Sequence, residues 1–337
     1  MTDALNVAMI GAGRMGRTHA GVLRTVDGVR IRAVVDAVPA NAQAVADTLG
    51  ARAQELDAVL DDPTIDAVLV TTPTATHADV VRRAARAGKA IFVEKPLADS
   101  LAGAEEVVRA VEEAGVACQV GFQRRYDPAY QDAKRRIDAG ELGRLESFRA
   151  IGRDPSPPPL DFLKTSGGLL VDMGIHDFDT ARFFLGEVAE VTAIGTVVRD
   201  ERLREHGLHD LALATLRFES GALGTVENAL NTAYGYEIVA DVLGEHGRFH
   251  LEKRRRSDLE VWNAGGVQHD YPAHFDDRFP EAYEREIVAF ARHLRDGLPV
   301  APDARDALES LRLALAAQRA LETGTTVHVP SFGREQA

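Results

Sequence analysis

An apolar run, Val7–Ile10, passes directly into Gly11-Ala12-Gly13-Arg14-Met15-Gly16 and then into a stretch of helix-forming residues. In a strand–loop–helix of this kind each glycine has a separate task. The first permits the tight turn, the second lets backbone approach a pyrophosphate, and the third lets helix and strand pack closely. The start of the helix then offers unbonded N–H groups to the phosphates. A glycine-rich turn alone would match the same pattern; the strand before it and the helix after it give it meaning. The next strand, Ile31–Val35, ends on Asp36, about 20 residues past the last glycine, where a carboxylate meets the ribose of a bound dinucleotide. Ala37 and Val38 follow, with no adjacent arginine to receive a 2′-phosphate. NAD is therefore expected over NADP, although Arg14 stands nearby in the glycine loop.

The first 120 residues alternate apolar strands with helical patterns, the mark of βαβ units and a parallel sheet. Strands are predicted at Asn6–Ile10, Ile31–Val35, Ala67–Thr71, Ala90–Val93 and Ala117–Gly121, with helices such as Ala40–Leu49 and Leu101–Ala114 between them. Gly88 and Gly115 stand where left-handed helix caps favour glycine. The texture changes near Phe122. Beyond the loop Pro155–Pro159, strand-like runs follow one another at Val191–Val197, Leu211–Phe218, Ala222–Asn228, Glu237–Leu243 and Arg248–Leu251, with Ser220-Gly221 as a hairpin turn. Helical patterns return at Ala282–Asp296 and Arg305–Thr323. The expected architecture is α/β: a Rossmann dinucleotide-binding domain over 1–121, then an α+β substrate domain over 122–330 with a large, mainly antiparallel sheet. A C-terminal helix is free to pack back on the first domain.

Ligands of parallel sheets bind outside the carboxyl ends of the strands. That puts Thr72-Pro73-Thr74 and Glu94-Lys95-Pro96 beside the nicotinamide. A lysine at the end of a buried strand has no structural duty, and its ammonium can orient a hydroxyl and favour the alkoxide. A second constellation is Gly167-Gly168…Asp172…His176-Asp177-Phe178-Asp179. If a helix starts near Asp172, then Asp172, His176 and Asp179 stand at i, i+4 and i+7 on one face, with Ile175, Phe178, Ala181 and Leu185 packing on another. Such a polar stripe either faces solvent or lines a site.

On these motifs the chain resembles the glucose–fructose oxidoreductase/inositol dehydrogenase/MocA family over nearly its whole length, and most of all its myo-inositol 2-dehydrogenase branch. Gly121-Phe122-Gln123-Arg124-Arg125-Tyr126-Asp127, Tyr234-Gly235-Tyr236 and Arg278-Phe279…Ala282-Tyr283 are similar to that branch. The resemblance implies NAD-dependent oxidation of a secondary hydroxyl of a cyclic polyol to a ketone. It makes Lys95 the group that holds the hydroxyl, His176 the general base and Asp172 its support. Arg124, Arg125, Asp154, Asp179, Tyr236 and Tyr283 would contact the other hydroxyls. The cofactor set would be Gly11, Gly13, Arg14, Met15, Gly16, Asp36, Thr72, Pro73, Thr74, His77, Glu94 and Lys95. Histidine suits the base because its unperturbed pKa lies near neutrality. No metal is required where Lys95 supplies the positive charge.

The branch tends to carry His-Arg-Asn before a proline, where this chain has Gly152-Arg153-Asp154-Pro155. That exchange alters hydrogen bonds to ring hydroxyls, so a different sugar (an aldose, deoxy-sugar or amino-sugar) stays open beside myo-inositol. A non-catalytic NAD(H)-binding regulator is the reading from another class, and retention of Lys95, Asp172 and His176 argues against it. A net charge of −13 disfavours nucleic acid, whose phosphates need Lys and Arg. The basic run Lys253–Arg256 reads as a solvated turn or subunit contact. No stretch approaches the roughly 20 apolar residues of a membrane span, and no signal peptide is read at the N-terminus. The single cysteine, Cys118, leaves no intramolecular disulfide, and the cytoplasm is the expected address. A sheet-rich second domain leaves a face for a copy of itself, so a homo-oligomer, dimer or tetramer, is expected.

Overall fold

A computed structural model describes residues 4–330. The chain divides into two compact units. The first holds residues up to Tyr126 and then Glu281–Leu308; the second holds Asp127–Pro280 and the chain from Glu309 onward.

In the first unit, six strands form one parallel sheet: β1 Leu5–Ile10, β2 Val29–Val35, β3 Arg52–Ala53, β4 Ala67–Val70, β5 Ala90–Glu94 and β6 Cys118–Gly121. Their order is β3-β2-β1-β4-β5-β6, and every neighbouring pair is parallel. The order reverses between β1 and β4, which is where a doubly wound sheet opens a crevice for ligand. Crossover helices at Arg14–Leu23, Pro39–Leu49, Thr74–Arg86 and Leu101–Ala114 follow the predicted pattern. Met9, Val34, Leu69 and Phe92 fill the core at 0–2% exposure. Ile287 and Phe290, from the helix Pro280–Asp296, join the same cluster, so this core is completed by residues from late in the chain.

The second unit carries β7 Leu145–Asp154, β8 Val188–Thr196, β9 Leu211–Phe218, β10 Leu223–Leu230, β11 Glu237–Gly244 and β12 Gly247–Glu252. A separate hairpin, β13 Glu260–Asn263 and β14 Gly266–His269, precedes the short β15 Val327–His328. The large sheet runs β12-β11-β7-β10-β9-β8-β15. It is antiparallel except for β7 against β10. That exception corrects the picture of simple successive hairpins: β7 enters the middle of the sheet from before the Pro155–Pro159 loop. Its inward positions Phe148, Ala150 and Gly152 are buried, whereas Arg149 between them points outward. The same alternation leaves one face of the sheet open, where Ile194 (66% exposed) pairs across strands with Leu213 (42%). The basic run is a turn in which each cation has a partner: Lys253 on the Asp277 carbonyl, Arg254 on Glu252, Arg255 on Glu260 and Arg256 on Asp277. Among the described residues no helix is long and apolar enough to cross a membrane.

Candidate active site

The cofactor end of the first unit is built on contacts too close for side chains. Gly11 has φ +105°, and a Cβ there would lie 2.6 Å from the Thr71 carbonyl carbon. At Gly16 a Cβ would come 2.2 Å from the Gly11 oxygen, so the helix Arg14–Leu23 rests directly on the turn. Gly13 instead faces open space, leaving its backbone approachable. Thr71 closes the turn by donating its hydroxyl to the Gly11 carbonyl at 2.7 Å. The Asp36 carboxylate accepts from Ala12 N at 2.7 Å and Val38 N at 2.8 Å, which holds it beside the glycine loop at the end of β2. Arg14 is exposed and Met15 half-buried at the start of the helix, while Thr72, Pro73 and Thr74 lead into the helix Thr74–Arg86. These residues fit a dinucleotide: an open backbone for pyrophosphate and a carboxylate for the ribose.

His77 behaves differently from its assignment to the cofactor set. Its ring is 1% exposed and lies between two carbonyls, Nδ1 to Pro96 O and Nε2 to Thr72 O, each at 2.8 Å. Burial lowers its pKa, so the neutral ring donates to one carbonyl at a time. It ties the Thr72 loop to the Pro96 turn from inside.

Glu94 and Lys95 end β5. Glu94 is 6% exposed and bonded to His19 at 2.6 Å, and its other oxygen accepts from Lys95 N at 3.3 Å. Lys95 is half-buried, with a cis peptide bond to Pro96. Arg124 and Arg125 lie on a short turn of 3₁₀ helix, Gln123–Tyr126. Arg124 is buried and Arg125 pairs with Asp306 at 3.4 Å. Tyr283 is buried edge-on to the His19 ring, with centroids 5.8 Å apart.

In the second unit, the expected continuous helix from Asp172 is broken. Asp172 closes a short helix, Leu169–Asp172, and a new one, Ile175–Leu185, begins after Met173-Gly174. At Gly174 a Cβ would lie 2.6 Å from the Leu170 oxygen and 2.8 Å from Asn228 Oδ1, so the chain bends where only glycine fits. Asp172 and His176 are half-buried on either side of this bend. The i, i+4, i+7 stripe does not survive: Asp179 is 1% exposed and accepts from the Ser310 hydroxyl at 2.9 Å. Ser310 in turn receives Arg182 at 2.7 Å.

Asp177, which no sequence pattern had singled out, is fully buried and accepts from Asn228 Nδ2 at 2.7 Å. Gly152 explains why that pair fits. A Cβ there would lie 2.7 Å from Asn228 Nδ2 and 2.8 Å from Asp177 Oδ2. Its neighbour Arg153 is held between Glu227 and Glu237 and bonds Tyr234 Oη at 2.9 Å. Asp154 accepts from Ser156 N at 2.9 Å and so supports the turn after β7. Tyr236 is 8% exposed, anchored by its N–H on Pro272 O at 2.8 Å.

Comparison with known proteins agrees with this layout. Residues 5–122 match the family described as "Oxidoreductase family, NAD-binding Rossmann fold", and residues 130–250 match the "GFO/IDH/MocA C-terminal domain". The scyllo-inositol 2-dehydrogenase (NAD(+)) of Bacillus subtilis (strain 168) is 40% identical over 334 residues, 98% of this chain and 97% of its own. The inositol 2-dehydrogenase of Rhizobium meliloti (strain 1021) is 38% identical, covering 93% of this chain and 96% of its own. Among solved structures, a myo-inositol dehydrogenase from Corynebacterium glutamicum ATCC 13032 superposes with a TM-score of 0.92 at 32% identity, over 97% of this chain and 99% of that one. The scyllo-inositol dehydrogenase of Lactobacillus casei with bound NAD(H) and scyllo-inositol gives 0.91 at 28% identity, over 97% and 99%. With an NAD-binding Rossmann domain and the matching C-terminal domain in one chain, this protein belongs to the GFO/IDH/MocA family of oxidoreductases.

Proposed function

We propose that this chain is an NAD-dependent dehydrogenase that oxidises one ring hydroxyl of an inositol to a ketone, with Lys95, Asp172 and His176 as its catalytic residues. One observation carries the assignment within the second unit. Of the ionisable groups between Asp172 and Asp179, Asp177 and Asp179 are turned into the interior, whereas Asp172 and His176 stay reachable. Bound NAD supplies the hydride acceptor at C4 of its nicotinamide. His176 takes the hydroxyl proton, and Asp172 stabilises the imidazolium as it forms; help of this kind is worth about 10²–10⁴-fold in rate. The Lys95 ammonium holds the same oxygen and favours its alkoxide. Arg124, Tyr236 and Tyr283 are assigned to the remaining hydroxyls. Asp179, bonded to Ser310, His77, bonded to loop carbonyls, and Asp154, bonded to Ser156, are assigned to support.

Myo- and scyllo-inositol differ in configuration at one carbon, and oxidation there gives the same ketone from both. We place myo-inositol first and scyllo-inositol beside it, because the relatives' names divide between the two. Gly152 favours testing other sugars as well: the space an imidazole would take is filled by Asn228 and Asp177. The test is a panel of inositols and aldoses with NAD and with NADP, followed by NADH absorbance. Turnover of an inositol with NAD is the expected result. No absorbance change with any polyol would leave an NAD(H)-binding regulator or an unrelated substrate.

Two further proposals concern the state of the protein. A second copy covers the open sheet face, where Ile194, Leu213 and Leu223 are 66%, 42% and 53% exposed, giving a dimer or tetramer. A monomeric mass by light scattering would overturn this. The cytoplasm is its proposed address, in keeping with one cysteine whose thiol is buried and pushed up to about 12.

A further inference from the structure

Behind the Lys95 turn lies a knot of ionisable side chains from three elements of the first unit. His19 comes from the helix Arg14–Leu23, Glu94 from the end of β5 and Glu286 from the helix Pro280–Asp296. His19 and Glu286 are 0% exposed and Glu94 6%. One ligating atom from each lies within 4.8 Å of the others. Gln119 of β6 joins them by donating to the Glu286 backbone carbonyl at 3.0 Å. Among the described residues, four buried atoms here have no hydrogen-bond partner: both Glu286 carboxyl oxygens, Gln119 Oε1 and His19 Nδ1.

A metal ion does not suit this geometry. His19 Nε2 and Glu94 Oε1 are 2.6 Å apart, a hydrogen-bond length. Two atoms each about 2.1 Å from a tetrahedral ion would stand roughly 3.4 Å apart. What His19 and Glu94 share is a proton. An ionised Glu286 would place a second buried negative charge beside Glu94 without a donor to offset it. Burial, reinforced by the Glu94 carboxylate, pushes the Glu286 carboxyl well above the ordinary range. A neutral carboxyl spares the cluster that second buried charge, which neither unpartnered Glu286 oxygen has a donor to offset.

We propose that His19, Glu94 and Glu286 form a buried network that positions the Lys95 turn, in which His19 and Glu94 share a proton and Glu286 packs beside them as a neutral positioning residue. The link to Lys95 is direct: its backbone N–H donates to Glu94 Oε2, so the charge and rotamer of Glu94 fix the backbone that carries the ammonium. Gly121 confines the same carboxylate, because a Cβ there would stand 3.2 Å from it. The titratable groups facing the network are His19, Glu94 and Lys95, with Tyr283 edge-on to His19. Tyr126, whose hydroxyl is raised by burial and by Glu286, and His77, which feels both Glu94 and Lys95, complete the set. A carboxyl raised on folding stabilises the fold fully below its unfolded pKa, about 4.3, and that stability is lost as pH climbs through the folded value. The network therefore fails on the alkaline side. The inference rests on the role proposed for Lys95.

The experiment compares the full-length, NAD-loaded wild type with E286Q and E286A. Glutamine keeps the shape and neutrality of the acid. Wild type should show a carboxylic-acid C=O infrared band at neutral pH, and E286Q should lack it. Its melting temperature should fall relative to E286Q as pH rises from about 6 to 9. E286Q should keep kcat while moving the alkaline limb of its pH profile upward. E286A should lose about 10–100-fold in kcat with KM for NAD unchanged, the cost of a displaced reacting group. Absence of the band in wild type, or its persistence in E286Q, overturns the neutral acid whether or not E286A folds. An alkaline limb that superposes in wild type and E286Q overturns the link to Lys95. If wild type turns over no polyol, the functional reading fails alone, because band and melting curves still decide the network.

Discussion

The two sheets handle polar residues in opposite ways. In the first, β4 is buried along its whole length and β1 along its last four residues, so charged groups gather at the carboxyl ends. Asp36, Glu94 and Lys95 all stand there. In the second, β9 and β10 alternate between buried and outward positions, and the outward face mixes charged groups with the apolar Ile194, Leu213 and Leu223. Asp241 alone meets Arg149, Arg248 and His250. The lesson concerns what a charged residue means. At the end of a parallel strand it points to ligand; on a one-sided antiparallel strand it is ordinary solvent-facing surface, and function must be sought in the connections. Asp172 and His176 lie in such a connection, on the two sides of a glycine bend.

The largest expected effect sets one residue from each unit side by side. Lys95→Ala and His176→Ala should each reduce kcat by about 10²–10⁴-fold with melting temperature unchanged, and His176→Ala should leave NADH binding unchanged as well. Retained turnover in either variant would remove that unit's group from the chemistry. Next comes stability. Phe290→Ala, in the closed core of the first unit, should cost about 3–5 kcal/mol by denaturant midpoint. Leu213→Ala, on the open face of the second, should cost less than about 1 kcal/mol in the subunit and shift the assembly toward smaller species by light scattering. Equal costs would break the contrast between closed and open faces.

Asp36→Ala removes a carboxylate that accepts two backbone N–H groups beside the glycine loop. NAD affinity should fall by the worth of a charged hydrogen bond, about 1.5–3 kcal/mol, and discrimination against NADP should relax. Unchanged NAD affinity in a titration would sink the ribose contact. The smallest expected effect on turnover belongs to Gly152→Ala. Its methyl would press on Asn228 and Asp177, costing about 1–3 kcal/mol of stability. A rise in inositol KM with kcat preserved would mark this as a specificity position; unchanged KM would make it packing alone.

Local patterns were enough for the cofactor half. Strand–glycine loop–helix, Asp36 and the helix Leu101–Ala114 stand where periodicity and spacing put them. The second half hid more. β7 was missed because Leu145–Asp154 is interrupted by Glu146, Arg149 and Arg153, which a central strand tolerates only when one face is open. The Asp172 stripe was misread because helical spacing cannot register a bend, although Gly174 was its visible sign. Asp177 is legible only once Asn228, from a distant strand, is beside it. Glu286 carries no motif of its own in the helical pattern Ala282–Asp296. Its position next to Ile287 in the buried row with Ala282, Tyr283 and Phe290 is what sets it apart.

The return of Glu281–Leu308 to the first unit has a consequence for biosynthesis. The sheet strands through Gly121 leave the ribosome long before Ile287 and Phe290, which close their core. At about 5–20 residues per second, that gap lasts roughly 8–34 s. During it, Val7, Leu69 and their neighbours present an unfinished apolar surface while the whole second unit is still being made. A nascent chain arrested before Phe290 should bind a holdase chaperone, and one arrested well after it should let go.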